Sequence, residues 1–515
     1  MPGQAIQVGP FIGGLNTFSD PSAIADNELA VCENFELDLD GSLKSRPPIE
    51  DLGVSFPLDI SGGNINILGY FYEATGQSYL LASDGVSSTY SFNGTNWTLV
   101  TNALSAAGFA QFDDKAWLTA PVGSSADGGY WTPSGGFTVD SDMPKGEVIT
   151  VFKDRLWIAE GKNSTNQGTR LYRSRTVADP ALWPTVTDFV DIGSGDGQNI
   201  VNLAVYFNTL LIFRTNSIFG LQYATDPAAA VVALVVPNVG LNSKDALDSF
   251  ESFIYFMYED KAYEFTNNRA AQINVKVPFK STTTANIYLP YAVSEFNRRV
   301  IFTYFDQLYV YSLRTRTWTT WKSNVYGAIG KIVKQETATD TAVAVTHRSA
   351  EVPVTGSART APTLKITDAV TSVTEQMTCI AQTKIFNYQA SSVYKRLFWW
   401  GIDANFKQTV EGLAFPITYN FQTKWSDLLP KTWGDVLPFF WINPLSDPPF
   451  VESDVNVSTD PLGRKFIKFF KSLRFRQIYY RLQFPTDGSS TSAPVRLFSL
   501  MTYVSPKETV STTIS

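Results

Sequence analysis

Histidine occurs once in the 515 residues, at His347, and cysteine only twice, at Cys32 and Cys379. A Ser-His-Asp or Cys-His arrangement would have to use His347, which sits in a Thr/Ala-rich stretch with no nucleophile elbow around it. We read it as a linker residue. One histidine and two distant cysteines cannot make a standard zinc site, and without CxxC spacing they form no disulfide framework. GxxxxGK[ST] is absent, which removes a P-loop. Charged residues make up 17%, against about 25% in ordinary chains. The net charge of −7 exerts no global pull on nucleic acid. The longest apolar run, Ala228 to Val236, is far short of the roughly 20 residues of a membrane helix. The opening MPGQAIQVGPFIGG has neither the basic nor the apolar region of a signal peptide. The expectation is a chain with no membrane segment, no cofactor, no metal and no catalytic residue, made in the cytoplasm.

What is abundant is aromatic: 14% of the residues, within 44% hydrophobic. A hairpin-like phrase recurs six times: YFYEATGQSYLLAS, GFAQFDDKAWLTA, VITVFKDRLWIAE, LAVYFNTLLIFRT, IYFMYEDKAYEFT and VIFTYFDQLYVYS. Each is an apolar strand, a tight turn and a second strand. The turns fall at Gly76, Asp114, Asp154, Asn208, Asp260 and Asp306. A period of roughly 40 to 50 residues without helical patterning is the signature of propeller blades. The fold expected is all-β, a six-bladed β-propeller plus a β-sandwich platform domain.

The division expected is an N-terminal arm and hairpin over 1–57, the propeller over 58–335, linker or edge strands over 336–375, and a C-terminal β-sandwich over 376–515. Within the arm, a short helix is expected after Pro21 or Asp26, then a hairpin turning at Asp40-Gly41 in type I′ geometry. The stretch DPAAAVVALVVP reads as a buried strand. Trp425, Trp433 and Trp441 lie in an irregular segment.

The chemistry-bearing phrases are few. DIGSGDGQN (191–199) misses the calcium-loop spacing and reads as an inter-blade turn. SFNGTNWTL (91–99) echoes the sialidase-type box S-x-D-x-G-x-x-W, but Asn93 replaces the aspartate and the spacing is one residue short. A hairpin turn with Trp97 packed behind it explains it better. RKFIKFFKSLRFRQIYYR carries Arg464, Lys465, Lys468, Lys471, Arg474, Arg476 and Arg481 among Phe and Tyr. Basic residues interleaved with aromatics can line a nucleic-acid channel or meet a neighbouring subunit. A solvated strand face gives the same pattern.

The opening FIGGLNTFSDPSAIADNELAVCENFELDLDGSLKSRPPI resembles that of bacteriophage tail proteins of the nozzle, or tail-tubular, type. The matching residues are Gly13, Gly14, Asn16, Asp20, Pro21, Asn34, Phe35, Asp40, Gly41, Leu43, Arg46 and Pro47. Similar phrases follow at 151–160, 179–200, 210–222 and 395–403. The resemblance implies a structural protein of the virion tail, a propeller with a strand-built platform, assembled as a ring, commonly a hexamer. It further implies a place around the DNA-exit channel, with adaptor or tube and fibre or spike proteins as neighbours, and a part in tail assembly and genome ejection. Genomic DNA would pass through the lumen without sequence-specific contact. The alternative of a different class is a propeller glycosidase or glycan-binding tail protein acting on host surface sugars, which needs paired carboxylates on one face.

Overall fold

The structure is a computed structural model. It describes residues 4–57, 65–161, 168–174, 183, 188–193, 195–280, 291–305, 307–322, 329–335, 341–346, 361–367, 375, 377–386, 395–405, 410–417, 450–452, 465–475, 477–485 and 496–506. His347, the three tryptophans Trp425, Trp433 and Trp441, and the turn residue Asp306 lie outside these. Among the described residues, every regular element except one 3-10 turn at Pro227–Ala229 is a strand.

Tight turns set the pattern. Asp113-Asp114, Lys153-Asp154, Asn267-Asn268 and Asn297-Arg298 all have positive φ at both positions, the geometry that matches the twist of paired strands. Between such turns the strands assemble as seven four-stranded antiparallel units. Unit 1 is Asn66–Tyr72, Ser78–Ser83, Thr89–Phe92 and Trp97–Thr101. Unit 2 is Gly108–Phe112, Lys115–Thr119, Gly129–Thr132 and Gly136–Val139. Unit 3 is Val148–Val151, Leu156–Ala159, Arg170–Arg173 and Phe189–Asp191. Unit 4 is Ile200–Tyr206, Thr209–Arg214, Ser217–Gln222 and Val231–Pro237. Unit 5 is Leu247–Phe250, Phe253–Tyr258, Lys261–Thr266 and Arg269–Gln272. Unit 6 is Tyr291–Phe296, Arg299–Tyr304, Gln307–Ser312 and Trp318–Trp321. Unit 7 is Ile329–Gln335, Thr341–Thr346, Ala361–Thr367 and, from the other end of the chain, Ile49–Phe56.

The second strand of each unit explains why the repeats are so apolar. Alternate residues of a strand face opposite sides of its sheet, and here each side meets a different neighbour. Leu156 and Ile158 pack toward unit 2, whereas Trp157 and Ala159 pack toward unit 4. Leu80 and Ala82 meet unit 7, and Leu81 meets unit 2. Leu210 and Ile212 face unit 3, while Leu211 and Phe213 face unit 5. Ile301, Leu308 and Trp321 close unit 6 onto unit 7. The units therefore form a ring of successive cores, arranged like propeller blades.

The expected count of six is one short. The seventh unit contains strands from the segment expected as linker or edge strands (336–375), and Ile49–Phe56 of the arm completes it by pairing with Ala361–Thr367. The recurring phrase also changes place along the chain. In units 1 to 4 it is the hairpin of the first and second strands, but in units 5 and 6 it is that of the second and third. Both hairpins share the buried second strand, so they resemble each other in sequence.

Three local expectations are corrected. The arm carries strand Glu28–Glu33 where a helix was expected, because that segment pairs with both Trp318–Trp321 and Thr378–Thr383. At the arm's hairpin only Gly41 has positive φ, and Gly41 N donates to Asp38 O, so the turn is not type I′. Val231–Pro237 is the outer strand of unit 4, not a buried one: Val231 is 67% exposed and Leu234 53%.

Outside the ring, the sheet of unit 6 continues through Glu28–Glu33, Thr378–Thr383, Gln477–Pro485 and Val410–Ile417 to Phe450–Glu452, ten strands counting Gly14–Leu15 alongside. A six-stranded sheet holds Lys465–Phe475, Lys395–Asn405, Arg496–Pro506, Leu43–Ser45, Phe35–Leu37 and Gln4–Val8. Leu37, Leu43, Leu497, Leu500 and Val504 of the second sheet share one core with Cys379, Ile478, Leu482 and Phe484 of the first.

Candidate functional site

First strands of most units converge on one cavity of about 350 Å³ at the ring's axis, lined from units 1 to 5 and 7. Several polar groups on its wall join units to one another, and Lys244 reaches across from unit 5 to the start of unit 2. Asn66 Nδ2 donates to Ala106 O and Ala107 O at 3.0 and 3.1 Å. Lys244 Nζ donates to Ala107 O at 2.8 Å, and Asn202 Nδ2 to Lys244 O at 2.5 Å. Asp248 Oδ2 accepts from Glu295 N at 2.7 Å, joining unit 5 to unit 6. Burial pushes the Lys244 ammonium below its ordinary value, with Asp245 and Glu147 opposing that shift. Burial pushes the Asp248 carboxyl up, with Lys331 opposing, and does the same at Glu295. Low-dielectric surroundings disfavour each charged form, as expected for groups aimed at a narrow axis. Among the described residues, no group of three or more His, Cys, Asp or Glu is placed to hold a metal ion.

A second concentration of polar groups lies where the ring meets the two outer sheets, and it includes Gly14, Asn16, Asn34, Arg46 and Pro47 from the pattern of the opening segment. Asn34, at φ +58°, accepts from Arg46 Nε and Lys322 N at Oδ1 and donates from Nδ2 to Thr378 O. Arg46 reaches Glu375 through both terminal nitrogens at 2.8 and 2.9 Å and also donates to Pro47 O and Lys322 O. Both charged side chains are fully buried, 0% and 1% exposed. Glu375 also accepts from Ile49 N, the first residue of the strand that completes unit 7. Nearby, Gly14 at φ +66° leaves no room for a side chain: a Cβ there would meet Thr317 Cβ at 2.7 Å. Asn16 and Lys276 hold Glu28 at 2.8 and 2.6 Å. Burial raises the Glu28 carboxyl, but these partners and Ala25 N together outweigh it and hold the group below its usual range. Burial pushes the Cys379 thiol up to about 12, so it is inert at neutral pH.

The basic segment is divided between the sheets. Lys465, Lys468, Lys471 and Arg474 belong to Lys465–Phe475, the end strand of the six-stranded sheet, where the register sets Lys468 opposite Gly401 and Arg474 opposite Arg396. Arg481 lies in Gln477–Pro485, an inner strand of the ten-stranded sheet, half-buried and near Glu33, whose carboxyl burial raises while Lys322 and Arg481 oppose the shift. Arg464 and Arg476 lie outside the described residues. SFNGTNW is a turn: Thr95 N and Asn96 N donate to Asn93 Oδ1, and Trp97 packs on Phe56 and donates to Thr363 Oγ1 of unit 7. In the glycine-rich stretch, Asp196 is drawn below its usual range first by the Arg214 guanidinium it binds.

Sequence reasoning missed the axial groups because they come from segments as distant as Asn66 and Lys331. The available signal was charge inside strand-forming runs, as in SKDALDS and GKIVK.

No family model matches the chain, and no curated protein matches its sequence. Among solved structures, it is similar to the extracellular domain of the hybrid two component system BT4673 from B. thetaiotaomicron, at 9% identity and TM-score 0.41, over 70% of this chain and 43% of that one. The AfRom2 CNH domain matches at 8% identity and TM-score 0.41, over 62% and 99%. PorZ, a surface component of the type-IX secretion system of Porphyromonas gingivalis, matches at 12% and 0.35, over 67% and 44%. The chain thus spans less than half the length of the first and third. At these scores the likenesses do not bear on what the chain does. No helix among the described residues is long and apolar enough to cross a membrane.

Proposed function

We propose that the chain is a structural protein of a bacteriophage tail, in which a seven-bladed propeller carries a two-sheet platform and copies join as a ring around the DNA-exit channel. The observation that carries this reading is the coincidence between the resemblance and the fold. Of the residues of the tail-protein pattern, Asn34 and Arg46 bind Lys322 at the end of unit 6, Phe35 packs on Phe484 between the two outer sheets, and Asp40 holds Arg496 within one of them. A pattern devoted to joining two bodies suits a protein whose work is mechanical. In this reading the basic strand Lys465–Phe475, at the free end of its sheet, faces the lumen or the next subunit. The ring closes by heterologous contacts.

Electron-microscopy class averages of the purified chain at high concentration, with sedimentation analysis of the same sample, test this. We expect closed rings around a central channel. Monomers alone, both by themselves and with the tail components of a phage encoding the chain, would remove the ring. A glycan-cleavage screen on the same sample reports on the glycosidase reading, and clear hydrolysis would replace our proposal with it.

A further inference from the structure

A second cavity, of about 160 Å³, opens where the hairpin Phe35–Leu37/Leu43–Ser45 leans on unit 6. Four cations line it: Lys44 from the hairpin, and Arg298, Arg299 and Arg314 from unit 6. Two carboxylates line it as well, and both are engaged. Glu36 is held by Arg299 at 2.5 Å, and Asp38 by Arg496 at 3.0 Å. The side chains of Lys44, Arg298 and Arg314 have no hydrogen bond or ion pair among the described residues. Their backbones, however, are fixed. Lys44 is in register opposite Glu36. Arg298 sits in a turn at φ +61°, and its carbonyl accepts from Leu313 N at 2.9 Å, binding that turn to the loop carrying Arg314. The pocket wall also includes Thr319, whose side chain belongs to a residue only 4% exposed.

In a chain of net charge −7, three unengaged cations around one concavity are an unbalanced positive site. Their approach from two separate elements, with hydroxyl donors on the wall, suits a tetrahedral oxyanion better than a planar carboxylate. It suits a phosphate group, whose non-bridging and ester oxygens can accept from several donors at once. The volume holds one such oxyanion with a few waters, at about 30 Å³ per water. We propose that this pocket binds a phosphate group, either free or as part of a nucleic-acid backbone. The proposal does not depend on the tail reading, since the pocket is complete within one chain.

Calorimetric titration of the full chain with inorganic phosphate at low ionic strength, with chloride as the reference salt, tests it. We expect saturable binding that weakens at least tenfold in the triple variant Lys44→Ala, Arg298→Ala, Arg314→Ala. It should stay within twofold in Arg269→Ala, an exposed cation on unit 5. Circular dichroism melts verify that all variants fold. A fluorescent DNA duplex separates the sources: anisotropy that phosphate competes away and the triple variant loses assigns the pocket to nucleic-acid backbone. Phosphate binding without duplex binding assigns it to a free oxyanion. No saturable binding of either probe, or binding that the triple variant retains, overturns the proposal.

Discussion

At the scale of single residues, units 2 and 3 share one device inside their first hairpins. Trp117 and Trp157, at equivalent places in units 2 and 3, each donate their indole N–H to the carbonyl five residues earlier, Phe112 O and Phe152 O, both at 3.2 Å. A buried indole needs such a partner, and the tight hairpin supplies it. Asp248 at the axis and Glu295, whose backbone N–H donates to it, are less comfortable. Burial raises both carboxyls, so the folded chain holds their protons more tightly than the unfolded chain does. Their contribution to stability is present below the ordinary carboxyl range, around pH 4, and is lost as pH rises through the raised folded values. Asp248→Asn should therefore gain stability relative to wild type as pH increases from 4.5 to 7. Denaturant titration at the two pH values measures it, and an unchanged difference would remove Asp248 as a source of the pH dependence.

At the scale of elements, the hairpins were the most legible part of the sequence. Asp-rich and Asn-rich turns have a local cause, the need for positive φ, and so they show in the sequence. Unit 7 was obscured because its four strands come from 49–56 and 329–367, and no local pattern announces a pairing at that separation. Glu28–Glu33 was misread for a related reason: its two ladder partners, near Thr320 and near Ile380, outweigh local propensity. The axial charges were invisible singly, since each is an ordinary Lys or Asp until the ring brings them together. Closure of unit 7 can be tested by stapling. Glu50 and Lys365 are opposed in register, so Glu50→Cys with Lys365→Cys should oxidise to a disulfide and add about 2–4 kcal/mol. Mass spectrometry and melting with and without reductant read the result. Failure of the bond to form would contradict this pairing.

At the scale of the whole molecule, ring and outer sheets are one body. They share an unbroken sheet and one apolar core that runs from Phe213 and Phe256 to Leu482 and Phe484. Wild type is expected to melt in a single calorimetric transition. Arg46→Ala leaves Glu375 buried without its counter-charge, at a cost of about 3–5 kcal/mol, and should split or broaden that transition; a sharp, unshifted one would show that the seam is not what couples the two. The ring's last pairing also has a consequence in time. Ile49–Phe56 leaves the ribosome roughly three hundred residues before Ala361–Thr367, and at about 5–20 residues per second that is roughly 15 to 60 seconds. For that interval the strand has no partner, and Glu50, Asp51 and Gly53 within it are the kind of residues that keep a waiting edge from pairing with the wrong chain.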